Sequence, residues 1–90
     1  MELVVLKKEE KELILEVRGE SLGFINAIRE ELWNDKTVLE SAMRKEHPYL
    51  AEPKIVLKVY RGEPEEALEK ACDRIIEKIE EFEKKFKEEI

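Results

Sequence analysis

The sequence holds one cysteine, one histidine, three glycines and three prolines, and no glutamine. Each shortage removes a class of function. A lone thiol closes no internal disulfide and builds no thiolate zinc site by itself. A lone imidazole excludes chemistry that needs two or three of them. Gly19, Gly23 and Gly62 are too scattered to form a glycine-rich phosphate loop. No apolar run approaches the roughly 18 residues of a membrane helix, and no signal peptide opens the chain. Basic charge is in deficit as well: 17 Lys and Arg against 23 Asp and Glu leave a net charge of −6. A surface that grips nucleic-acid phosphates displaces counterions with a basic patch, and this balance argues against one. The expectation is an acidic, soluble, cytosolic protein with no metal, no cofactor, no membrane contact and no direct nucleic-acid binding.

What is present is enough for one domain spanning residues 1–90. A chain this short buries only about 60% of the surface its unfolded form exposes, so its own core is thin. A charged content of 44% would suit disorder, but 42% of the residues are hydrophobic and regularly spaced. Only Asp35 and Asp73 are aspartates, so the acidity is glutamate. Lys and Glu enrichment with few amides is a hyperthermophile tendency.

Glu2 to Leu6 reads as a short apolar strand, stopped by the charged run Lys7 to Glu12. Leu13, Leu15 and Val17 then alternate onto one face of a second strand ending at Arg18, and the two form a hairpin around a solvated turn. Gly19 breaks this strand, and Ser21 is an N-cap for a helix from Leu22 to Trp33. That helix carries Leu22, Phe24, Ile25, Ala27, Ile28, Leu32 and Trp33. The apolar arc is wider than the stripe of an ordinary surface helix, so one sheet cannot cover all of it. Thr37 to Lys45 reads as a third strand, with Leu39, Ser41 and Met43 on one face, ended by His47-Pro48. Lys54 to Arg61 is a fourth strand, in which Ile55, Leu57 and Val59 alternate with Val56, Lys58 and Tyr60. Gly62-Glu63-Pro64 turns into the last helix, with Pro64 in its first turn.

That helix runs some 26 residues, about 39 Å, whereas an eight-residue strand spans about 26 Å. Leu68, Cys72, Ile75, Ile79, Phe82 and Phe86 form a heptad-like stripe along it. The helix therefore overhangs its sheet, and Phe82 and Phe86 on the overhang need a partner. The order β-β-α-β-β-α is an α+β fold: a four-stranded antiparallel sheet with two helices on one face.

No catalytic constellation appears. His47 has no orienting partner in sequence, and Cys72 sits on an apolar stripe where a thiol is usually a small core residue. The adjacent pairs Glu30-Glu31, Glu65-Glu66, Glu80-Glu81 and Glu88-Glu89 splay around their helices and read as solvated faces. Trp33 reads as a lid on the core.

In their order and separation, several motifs resemble the archaeal RNA polymerase subunit L family. They are Gly19-Glu20, Asn26-Ala27-Ile28-Arg29-Glu30-Glu31-Leu32, His47-Pro48-Tyr49-Leu50, Glu52-Pro53 and Gly62-Glu63-Pro64-Glu65-Glu66-Ala67-Leu68. That family is related to the eleventh subunit of eukaryotic RNA polymerase II and to the dimerisation domain of bacterial alpha. The chain departs from it at Leu22-Gly23, where members usually carry His-Thr, and at Arg61, where an acidic residue is usual.

The resemblance implies an alpha-like dimerisation fold and a non-catalytic role. The chain would pair with a larger alpha-like subunit, called D, to form the assembly platform for the catalytic subunits. The residues it places against the partner are Leu22, Phe24, Ile25, Ile28, Arg29 and Trp33 on the first helix, with Ile79, Phe82 and Phe86 on the last. Two rival readings stand beside it. One is a free-standing homodimeric interaction module held by the Phe82/Phe86 stripe. The other is an enzyme of similar topology such as a pterin dehydratase, which a sole His47 argues against.

Overall fold

Alternation of apolar residues sets the strands, and the computed structural model, describing residues 1–45 and 52–90, places them in one sheet. The elements are β1 (Glu2–Lys8), β2 (Glu12–Arg18), α1 (Leu22–Leu32), β3 (Val38–Arg44), β4 (Lys54–Val59) and α2 (Pro64–Glu89). The sheet order is β1-β2-β4-β3, every neighbouring pair antiparallel. The loop motif around His47 lies outside the described residues.

Turns and caps follow from local chemistry. Gly19 and Gly62 take φ of 74° and 76°, a left-handed geometry that a side chain would strain, and each redirects a strand into a helix. Ser21 caps α1, its Oγ accepting from the Phe24 N–H at 3.2 Å. The other end of α1 is pinned to β3 twice. The Trp33 indole N–H donates to the Ser41 carbonyl at 3.1 Å, and the Ser41 hydroxyl donates to the Arg29 carbonyl at 3.0 Å. Trp33 is thus an anchor at the helix end, with half its surface still open.

Both helices lie on the same face of the sheet, over β2, β4 and β3. Two connected clusters form the core. Leu32, Val38, Leu57, Val59, Ala67 and Ala71 make one. Val17, Ile25 and Ile55 make the other, and Ile28 touches both. The other face carries a transverse row of charge: Lys7 to Glu12 at 2.5 Å, Glu12 to Lys58 at 3.4 Å and Lys58 to Glu40 at 3.5 Å.

Two strands depart from simple alternation. A bulge between Val38 and Glu40 puts both Val38 and Ser41 inside and leaves Leu39 exposed, so the expected Leu39/Ser41/Met43 face does not form. β1 runs two residues further than expected, to Lys8, with a bulge between Val5 and Lys7. Leu3, Val5 and Leu6 on it stay exposed, because β1 is an outer strand that the helices leave largely uncovered, α2 reaching it through the Lys8–Glu65 ion pair at 2.9 Å.

Candidate partner-binding surface

The helix layer has apolar surface that its own sheet does not cover. On α1, Ile25 and Leu32 point inward and are fully buried, while Leu22, Phe24 and Trp33 remain nearly half exposed. On α2, Ala67 and Ala71 face the core, and their small side chains let the helix approach β4 closely. Every residue from Ile76 to Ile90 is exposed. Within that stretch Phe82 is 72% exposed, and its ring stacks on Phe86 with centroids 6.4 Å apart. Water leaves such an aromatic pair readily once a partner surface is offered.

Between the helices runs a groove of about 460 Å³, lined by Ala27, Asn34, Ile75, Ile79 and Phe82. Its floor is ionic. Glu31 is 6% exposed and accepts from Arg74 Nε at 2.7 Å and Lys78 Nζ at 2.6 Å. Arg74 also donates to the Glu31 carbonyl at 3.1 Å. The Lys78 and Arg74 hydrogen bonds hold the Glu31 carboxyl at a pKa of about 2, against the opposing push of burial. The clamp fixes the angle between α1 and α2, and hence the shape of the groove. It also corrects the reading of Glu30-Glu31 as a solvated pair: Glu30 faces water, whereas Glu31 is a buried tie between the helices.

A second, smaller opening of about 150 Å³ lies where the helices stop short of β1, walled by Met1, Leu3, Phe24, Leu68 and Cys72. Burial pushes the Cys72 thiol up, away from the thiolate form a nucleophile needs. Among the described residues no group of His, Cys, Asp and Glu is arranged to hold a metal ion. The arrangement offers a surface for association.

The expected partner residues divide accordingly. Leu22, Phe24, Trp33, Ile79, Phe82 and Phe86 are available on the surface. Ile25 is not: at 0% exposure it packs on Val17 and Ile55 inside its own chain. Ile28 is partly buried between the two core clusters. Arg29 is turned along its own helix, donating to Asn26 Oδ1 at 2.8 Å and pairing with Glu30 at 3.5 Å. Sequence reasoning missed the Glu31 clamp and the exposed apolar residues of β1. The clamp did leave a trace, since Arg74 and Lys78 stand four apart on the side of α2 that continues Ala67 and Ala71.

Residues 12–85 match the family model of the RNA polymerase Rpb3/Rpb11 dimerisation domain. The chain is 34% identical to the DNA-directed RNA polymerase subunit Rpo11 of Pyrobaculum aerophilum, over 96% of this chain and 94% of that one. It is 33% identical to the Rpo11 subunit of Methanothrix thermoacetophila, over 98% and 97%. The crystal structure of DNA-directed RNA polymerase subunit L from Thermoplasma acidophilum superposes with a TM-score of 0.90 at 25% identity, covering 98% of this chain and 87% of that one. With its strand order, its two helices on one face and its apolar overhang, the chain belongs to the RNA polymerase Rpb3/Rpb11 dimerisation-domain family.

Proposed function

We propose that this chain is the small L-type (Rpo11) subunit of an archaeal, cytoplasmic DNA-directed RNA polymerase. It performs no chemistry itself and pairs with the larger alpha-like subunit, the one called D. Together they form the platform on which the catalytic subunits assemble. The observation that carries this reading is the uncovered apolar face of the helix layer, where Phe24, Trp33, Ile79, Phe82 and Phe86 are exposed in a family whose domain is a dimerisation domain. The net charge of −6 suits a subunit that sits away from the DNA. Among the described residues no helix is long and apolar enough to cross a membrane.

The test is co-expression with the larger alpha-like subunit of the same organism, followed by gel filtration. Phe82→Glu is the informative variant. Within its own chain its side chain stacks on the exposed Phe86 ring and takes no part in the core, so the fold survives, while a carboxylate in a desolvated apolar contact separates the pair. Ile28→Glu is the less clean choice, because Ile28 also packs on both core clusters. Normal assembly of a folded Phe82→Glu chain would show that the α2 overhang is not the interface.

A further inference from the structure

α2 continues past the sheet as an arm. Ala67 and Ala71 seat its first half on the core, and from Ile76 onward every residue is exposed. Arg74 and Lys78 follow Ala71 at steps of three and four, on the side of the helix that faces α1. Among the described residues they are the last on α2 to hydrogen-bond α1, and both do so through Glu31. Phe82 and Phe86 stand one and two turns further out, outside both core clusters.

The arm is long enough for the angle at its root to matter. Phe86 lies eight residues beyond Lys78, about 12 Å along the helix. Where side-chain packing alone decides, helix crossing angles scatter by about 15–20°. A swing of that size at Lys78 carries the Phe86 ring about 3–4 Å sideways. An aromatic anchor displaced so far misses its seat, because the core of an interface packs as closely as a protein interior.

Alkyl groups between the helices would not hold that angle, since they repack at little cost. Hydrogen bonds of fixed direction do hold it. Arg74 grips one residue twice, through Nε to Glu31 Oε1 at 2.7 Å and through Nη2 to the Glu31 carbonyl at 3.1 Å, which fixes both register and rotation. Lys78 takes the other carboxylate oxygen at 2.6 Å. Glu31 is anchored in turn, 6% exposed and next in the chain to the fully buried Leu32. For stability alone such a device gains little, because apolar residues of similar volume often do as well as a buried ion pair.

We propose that Glu31 is a positioning residue for assembly: through Arg74 and Lys78 it sets the direction of the α2 arm, and thereby the affinity for the larger subunit. This role rests on the chain's being the partner of an alpha-like subunit. Glu31 acts on Phe82 and Phe86 through the helix that carries them, and not by contact with the partner.

The experiment measures the affinity of the full-length chain for the larger alpha-like subunit by calorimetry, with circular dichroism to confirm that each variant is folded. Glu31→Gln is expected to weaken binding about tenfold. Val56→Ala removes a side chain that is 2% exposed on the opposite face of the sheet, so it lowers stability yet leaves the affinity within about twofold. A second readout needs no partner. Nitroxide labels on Leu39→Cys and Lys87→Cys, in a Cys72→Ala background, report the spread of distances between β3 and the tip of α2 by double electron–electron resonance. Glu31→Gln broadens that distribution, and Val56→Ala does not. An unchanged distribution, or a folded Glu31→Gln chain that binds like the parent, would overturn the positioning role alone. Failure of the parent itself to bind would overturn the proposed function and this role with it.

Discussion

Replacing Glu31 by Gln keeps the size and an acceptor oxygen but removes the charge from the tie between α1 and α2. In the folded chain the carboxyl has a pKa of about 2, set by Lys78 and Arg74, against an ordinary value of 4.5. A depression of that size corresponds to about 3 kcal/mol as an upper bound. Arg74 and especially Lys78 still reach water, which screens the pair and discounts the figure to about 2 kcal/mol. Because the folded pKa lies below the unfolded one, the contribution is present in full above about pH 4.5 and is lost as the pH falls towards about 2. At neutral pH the variant should therefore melt roughly 8–16 °C below the parent. The gap should close as the solution is acidified through that interval. Both chains are compared at one concentration, since association raises apparent stability. Melting curves that differ by the same amount at neutral pH and near pH 2.5 would show that Glu31 is not held as an ionised clamp.

Core and surface positions on the helices should separate in the same assays. Ile25→Ala should destabilise the fold by about 2–5 kcal/mol in denaturant titration, whereas Phe82→Ala should leave folding nearly unchanged and weaken binding of the larger subunit. Ser21→Ala removes the acceptor at the start of α1 and should lower stability by about 1 kcal/mol, read from the urea midpoint at unchanged slope. The isolated chain should show no salt-sensitive, micromolar affinity for duplex DNA by fluorescence anisotropy, given its net charge of −6.

How far these features could be read in the sequence depended on how local their causes are. The alternation of Leu13, Leu15 and Val17 and the Ser21 cap need only near neighbours, and both form as expected. The length of α2 was legible because Pro64 marks its start and nothing interrupts its stripe. The wide arc of α1 told that the helix has two apolar sides, but not which side its own sheet would take. That choice put Ile25 in the core and left Phe24 partly out, since Ile25 meets Val17 and Ile55. The bulge in β3 was hidden because a register slip carries no residue signature of its own. Glu31 looked like any surface glutamate, because the cations that bury it lie 43 and 47 positions further along the chain.

The bulge in β1 has a consequence for how the molecule behaves in a crowded cell. β1 is an outer strand, and its free edge is a template on which another extended chain can polymerise. Leu3, Val5 and Leu6 make that edge apolar enough to be hazardous. The ladder runs regularly only from Glu2 to Val5 before it slips at Leu6, and Lys7 and Lys8 then close it with charge. A six- or seven-residue zipper segment, the usual unit of fibril growth, has no uninterrupted stretch here on which to dock. The irregularity thus acts as a gatekeeper, letting an aggregation-prone sequence stand at the rim of an open sheet.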